Sequence, residues 1–287
     1  MRRFLSLVFV LMICSYAFGQ AAAPATDGLP AEETVNSFLQ QTHGWNKDLS
    51  YKVSSIRPSG VPGLAEVTVV YATTEGQQIG KLYVSSDGAH AVVGDIIPFG
   101  AKPFDRDRQL LEKGTNGPSK GPKDAPVTIF EFGDLQCPAC KAAQPAIEGL
   151  LASEPSARFV FQNFPLEMHN WAAKGAYYAD CVGHASREGF FKFVARAYET
   201  QQDITAENAD EKLTALAVEV GLNGPEIAAC ATTPVTKAHV DASIALGKSV
   251  NVTGTPTLFI NGRSIGNVAQ VPADVLKALV DFAARQK

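Results

Sequence analysis

The chain has 287 residues, with 46% hydrophobic and 19% charged side chains, an ordinary globular balance with room for two domains. Its formal net charge of −4 gives no case for a nucleic-acid partner.

Residues 1–19 read as a secretory signal peptide. Arg2 and Arg3 form a positive start, residues 4–13 an apolar run, and Ala17-Phe18-Gly19 a small-residue cleavage site that leaves Gln20 first. The run is short for a membrane span, although retention as an uncleaved anchor is the alternative. The chain is therefore expected to be exported, to the periplasm or another extracytoplasmic space, with Cys14 removed.

Residues 20–103 read as a small α+β domain. The spacing of Val35, Phe38 and Leu39 predicts a helix over 31–41 with these three on one face. Strands are predicted over 51–56, 65–72 and 80–97, the last folding back at Ser86-Asp87-Gly88. This domain has no cysteine, so binding or assembly is expected of it rather than chemistry. Residues 104–123 read as a linker: a short charged helix over 104–113, then a stretch rich in Gly, Pro, Ser and Lys.

The second domain is expected over 124–287. An apolar strand over 127–132, a helix over 138–153 and a strand over 158–164 form a βαβ unit. A helical insertion of about 168–250 follows. The sheet resumes at 257–260, Asn261-Gly262 is a hairpin turn, and 272–285 is a closing helix with Val275, Leu276, Leu279 and Phe282 inward.

Cys137-Pro138-Ala139-Cys140 lies between the first strand and helix of that unit. Three residues is close to one helical turn, so both sulfurs fall on one face. The first faces a helix N-terminus, whose partial positive charge favours thiolate over thiol. A thiolate attacks disulfides, so the geometry suits thiol–disulfide exchange. Half of a zinc site is the competing reading, but structural zinc takes four ligands, and the five histidines are scattered with no closely spaced pair near the motif. No metal and no cofactor are expected. A purely structural bridge at this spacing is the other alternative. Four cysteines remain after the leader, and an even count in an exported chain suggests two disulfides. Cys181 and Cys230 are the structural pair, closing a loop worth roughly 4 kcal/mol by chain entropy.

From about residue 121 onward the chain resembles the thioredoxin superfamily, within it the exported DsbA-like thiol oxidoreductases, and the BdbD-type branch more than the enteric DsbA. The resemblance is carried in order by Asp124-Ala125-Pro126-Val127, Glu131, Cys-Pro-Ala-Cys, the helical insertion and Gly254-Thr255-Pro256-Thr257. It implies an α/β thioredoxin-like fold with a helical insertion. It implies that Cys137 is the nucleophile and Cys140 the buried resolving thiol. It also implies that Pro256 is a cis-proline beside them, offering the Thr255 backbone to an extended substrate segment. Glu131 would lie under the disulfide and assist proton transfer at the buried thiol, with a pKa raised by its apolar strand. The alternative is a glutamate facing out from an edge. His169 is read as a surface or interdomain histidine. More loosely, 82–88 and 92–95 resemble the N-terminal dimerisation domain of DsbC- and DsbG-type isomerases.

The expected function is thus exported thiol–disulfide exchange with substrate proteins, foremost as an oxidase of reduced clients that a membrane redox partner recycles. The alternatives are a homodimeric isomerase or reductase acting on misfolded exported proteins, and a client-binding chaperone module. For the first domain, homodimerisation stands beside the alternative that it caps its own catalytic domain.

Overall fold

The computed structural model describes residues 28–73, 76–94 and 96–286; the expected signal peptide lies outside the described residues. The chain divides into two compact units, Met1–Asp95 and Ile96–Lys287.

In the first unit, helix α1 (Glu32–His43) buries Val35 and Leu39, one turn apart. They pack on Val53, Val67, Val69 and Leu82 of an antiparallel meander. Its strands β1 (Ser50–Pro58), β2 (Leu64–Thr73), β3 (Gly76–Ser85) and β4 (Ala91–Val93) run in sequence order. Phe38 departs from the predicted inward face. It is 38% exposed, because Val35 and Leu39 already fill the stripe and Phe38 sits at its flank. The last strand stops at Val93 rather than continuing to residue 97.

The second unit is built on a five-stranded sheet ordered β5-β7-β6-β8-β9. These strands are β5 (Ser119–Lys120), β6 (Thr128–Gly133), β7 (Arg158–Asn163), β8 (Thr257–Ile260) and β9 (Arg263–Ile265). β6 and β7 are parallel and the other pairs antiparallel. Helix α2 (Asp105–Gly114) precedes β5, and α3 (Pro138–Ser153) connects the parallel strands β6 and β7. The insertion holds α4 (Ala172–Ala185), α5 (Arg187–Glu199), α6 (Ala209–Glu219), α7 (Gly224–Ala231) and α8 (Pro234–Ser249), and α9 (Ala273–Arg285) closes the chain. Among the described residues no helix is long and apolar enough to cross a membrane.

Strand alternation sorts β6 between two cores. Phe130 and Phe132 join Val160, Phe259, Leu111 of α2 and Leu246 of α8. Ile129 joins Phe159, Phe161, Leu258 and the inward faces of α3, α9 and the insertion.

Two sequence expectations are corrected here. Residues 104–123 are not a linker: Leu111 is fully buried against Phe130 and Phe132, and Ser119–Lys120 pairs with Val160 and Phe159 of β7. The glycines that suggested a linker serve close packing instead. A Cβ on Gly117 would stand 1.8 Å from the Phe161 carbonyl oxygen, and Gly121 has φ +91° with the Ala157 carbonyl 2.3 Å from where a Cβ would lie. On α9 the buried stripe is Leu276 and Val280, with Leu279 and Ala283 partly covered, while Val275 and Phe282 are 44% and 46% exposed. The helix presents its i, i+4 row to the core, and the i, i+7 pair falls beside it.

Candidate active site

The redox motif sits where β6 hands the chain to α3. Cys137 is the N-cap of that helix, in extended conformation, and Pro138 takes the first helical position, where no donor is needed. The turn is closed by the Cys137 N–H donating to the Asp134 carbonyl (3.0 Å), and the Asp134 N–H points back at Cys140 Sγ (3.5 Å). Cys137 and Cys140 are free thiols. Cys140 is fully buried and Cys137 is 5% exposed, so the first sulfur is the one nearer solvent.

Pro256 follows a cis peptide bond to Thr255. Because β8 pairs with β6 in the register Thr257 to Phe132, the segment ahead of β8 arrives at the end of β6 that carries the motif. There the Cys137 thiol donates to the Thr255 carbonyl oxygen at 3.3 Å. Among the described residues, the buried Thr255 hydroxyl has no hydrogen-bond partner.

The two thiols are driven apart. The Cys140 thiol donating to Cys137 does most to bring the Cys137 pKa down to about 6, against the opposing effect of burial; Thr255 and the backbone N–H groups of Cys140 and Ala139 add to the lowering. Burial foremost, then the hydrogen bond and charge of Cys137 and the charge of Glu131, hold the Cys140 thiol well above the ordinary range. Glu131 lies on the Ile129 side of β6, fully enclosed, and burial raises its carboxyl to about 7 although Gln144 and Lys120 pull the other way. Gln144 Nε2, on α3, donates to Glu131 Oε1 at 3.2 Å.

Several residues around the motif meet only in the fold. Asp134 has a fully buried carboxylate that accepts from the Gln136 N–H (2.8 Å) and the Leu166 N–H (2.9 Å) and meets His169 Nδ1 at 2.7 Å. His169 is thus a satisfied histidine, but its partner is the buried carboxylate beside the motif rather than a surface or interdomain group. Its hydrogen bond to Asp134 raises its pKa despite burial, and the Cys137 charge acts in the same direction. Gln201, buried, donates to the carbonyls of Leu135 (2.8 Å) and Cys137 (3.1 Å), fixing the motif loop from the helical insertion. Tyr198 is fully buried, and burial first, then the Cys140 and Glu131 charges, keeps its phenol well above the usual range. These contacts join residues about 35 to 66 positions apart, which only the folded sheet brings together.

Cys181 on α4 and Cys230 on α7 are bonded, with Cα atoms 6.0 Å apart, inside the helical insertion.

Residues 113–281 match the family model described as thioredoxin, and residues 21–102 match that of the disulfide bond isomerase protein N-terminal domain. The chain is 29% identical over 166 residues to the Na(+)/H(+) antiporter NhaA 3 of Salinispora tropica, an alignment that covers 56% of this chain and spans only 23% of the antiporter. It is 29% identical over 159 residues to disulfide bond formation protein D of Bacillus subtilis, covering 53% of this chain and 71% of that protein. The fold is similar to the crystal structure of oxidised BdbD from Bacillus subtilis, with TM-score 0.53, 24% identity, 60% of this chain and 94% of that one. It is likewise similar to a thioredoxin-like oxidoreductase from Silicibacter pomeroyi, with TM-score 0.53, 23% identity, 63% of this chain and 99% of that one. With more than half of its length matched, and with the motif, the cis-proline and the β6–α3 junction in their places, the chain belongs to the thioredoxin family.

Proposed function

We propose that this chain is an exported protein thiol–disulfide oxidoreductase that passes a Cys137–Cys140 disulfide to reduced substrate proteins. The observation that carries the reading is the asymmetry of the pair: Cys137, 5% exposed, caps a helix beside the cis Thr255–Pro256 bond, and Cys140 is sealed inside. A substrate thiolate attacks Cys137 Sγ, the Cys137–Cys140 bond breaks, and Cys140 departs as a thiolate. That buried thiolate holds protons strongly, and Glu131, on the strand under α3 with a carboxyl near 7, is the group suited to supply one. A second substrate thiolate then attacks the substrate sulfur of the mixed disulfide and releases Cys137 as the stabilised thiolate. The substrate loses two electrons and the pair gains them; a membrane redox partner that accepts two electrons restores the disulfide. The Thr255 backbone offers an edge on which an extended substrate segment can pair.

The match to a disulfide isomerase N-terminal domain favours a second reading, in which the chain acts on misfolded exported proteins as a homodimer, by isomerisation or reduction. The first unit suits that role: its edge strand β4 leaves Val92 and Val93 54% and 78% exposed. Solution mass at micromolar concentration reads the dimer, and the reduction potential reads the direction, about −120 mV for an oxidase and about −270 mV for a thioredoxin-like reductant.

Trapping tests the core of the proposal. Cys140→Ser should accumulate mixed disulfides through Cys137, whose thiolate opens a disulfide of an oxidised client and releases one client thiol, and Cys137→Ser should form none. Mass spectrometry of each variant after exposure to the client distinguishes them, and the reverse pattern would reassign the nucleophile.

A further inference from the structure

The helical insertion holds a second group of chemistry-bearing side chains that thiol exchange does not use. Asp180 and His184 lie one turn apart on α4, and His239 lies on α8. Both histidine Nδ1 atoms stand 3.5 Å from the same oxygen, Asp180 Oδ2. One ring nitrogen from each histidine and a carboxylate oxygen lie within 4.8 Å of one another. The two rings stack with centroids 5.0 Å apart and planes 19° from parallel.

An ion-pair account of this group is incomplete. One carboxylate can balance one imidazolium, which leaves a second protonated ring stacked against a like charge. Neutral rings avoid that repulsion, and each then keeps one nitrogen lone pair for a ligand. Two imidazole nitrogens and one carboxylate oxygen are the donors that borderline divalent metals take. Ligands held tetrahedrally at about 2.0–2.2 Å from a metal lie roughly 3.3–3.5 Å from one another, which is the observed spacing between His239 Nδ1 and the carboxylate; His184 offers its other ring nitrogen, Nε2.

The surroundings suit a bound ion as well. The Asp180 side chain is only 10% exposed, while those of His184 and His239 are 55% and 42% exposed, so the buried anion faces a side open to water. His184 Nδ1–H donates to the Asp180 carbonyl oxygen at 2.8 Å, which keeps the ring over its own helix and leaves Nε2 as its lone-pair nitrogen. Asn116 Nδ2 donates to the His239 carbonyl at 2.8 Å, tying that point of α8 to the chain ahead of β5. Next along α4, Cys181 is bonded to Cys230 on α7. The backbone on both sides of the cluster is therefore anchored.

We propose that Asp180, His184 and His239 form a binding site for a zinc-type divalent transition-metal ion, with water completing its coordination. The ion would clamp α4 to α8, as the neighbouring disulfide clamps α4 to α7. Calcium and magnesium prefer all-oxygen ligand sets, so the site should discriminate against them.

The test is a calorimetric titration with Zn²⁺ of the full-length protein, oxidised so that Cys137 and Cys140 offer no thiolate. One equivalent of zinc should bind, and Ca²⁺ should not. His184→Ala and His239→Ala, both at partly exposed positions, should each weaken zinc binding at least about 10-fold, as loss of metal-site residues does. A Cys137→Ser/Cys140→Ser variant should bind as the parent does. Circular dichroism of the histidine variants verifies that the fold is kept. No uptake of zinc by the parent, or uptake that either histidine variant leaves unchanged, would overturn the proposal.

Discussion

Glu131→Gln is the most informative single change, because it separates the electrostatic load of the site from its chemistry. A carboxyl moved from its ordinary 4.5 to about 7 by complete burial makes the folded state bind its proton more tightly than the unfolded state does. The sign follows from linkage. Below pH 4.5 both states are protonated and Glu131 costs nothing in stability. Between 4.5 and about 7 the unfolded chain ionises first, so the folded state loses ground steadily. Above about 7 the loss is constant, at about 3 kcal/mol for that displacement. Glutamine keeps the shape and can still accept from Gln144 Nε2, but it does not ionise. Denaturant unfolding of the oxidised parent and the variant should therefore give a stability difference that grows in the variant's favour by about 3 kcal/mol from pH 4 to pH 8. Contributions from every other titrating group cancel in that difference when they act independently. The same variant should release Cys140 more slowly in exchange with a dithiol substrate. Parallel stability-versus-pH curves for the two proteins would refute the reasoning, since they would mean Glu131 titrates as an exposed carboxyl.

In the reduced protein, thiolate absorbance should titrate with a midpoint of about 6 for Cys137, and exchange rates should rise through that pH and level off above it; a midpoint near the ordinary thiol value of about 8.5 would refute the assignment. His169→Ala should move that midpoint upward, because the cationic ring held by Asp134 and the Cys137 thiolate favour each other's charge. Replacing Cys181 and Cys230 by Ala should lower stability by about 4 kcal/mol, the chain-entropy value for a 49-residue separation, with the reduction potential of the Cys137–Cys140 pair unchanged. Thermal unfolding and redox equilibration with glutathione measure the two halves, and a shifted potential would show that the bridge acts on the motif.

What the sequence makes legible is what lies within a few residues. The spacing of Cys137 and Cys140, the proline at the first helical position and the alternation of β6 all follow from one helical turn or one pleat. The cis Thr255–Pro256 bond was reachable only through resemblance, because nothing in the local sequence makes that isomer prevail. The Asp134–His169 pair was out of reach: its members belong to loops after β6 and β7, and only the parallel pairing of those strands brings them to one end of the sheet. The same holds for Gln201 under the motif loop and for His239 beside Asp180 and His184. The supposed linker misled for a different reason. Glycine serves both loose chain and tight backbone approach, and composition alone does not distinguish them.

Register ties these features together. Glu131 and Phe132 are sequence neighbours on opposite faces of β6, one on the Cys140 side and one in the aromatic cluster with Phe164 and Phe259. A one-residue slip would exchange them, placing a carboxyl among phenylalanines and a ring beneath the buried thiol. The register is pinned at the opposite end of the strand from the cysteines. Asn261, in the left-handed conformation at φ +45°, opens the turn between β8 and β9. Its side chain accepts from the Thr128 N–H at 2.8 Å and donates to the Pro126 carbonyl at 3.2 Å, while its own N–H donates to the Thr128 carbonyl at 3.0 Å. One residue thus shapes the hairpin and aligns β8 with β6. The same alignment delivers Thr255 to Cys137, because the register that sets Ile260 opposite Ile129 also sets Thr257 opposite Phe132, two residues beyond the cis bond. Placement of Glu131, the proposed proton donor, and of the Thr255 backbone beside Cys137 therefore follows from a single strand pairing, fixed about as far from the sulfurs as β6 allows.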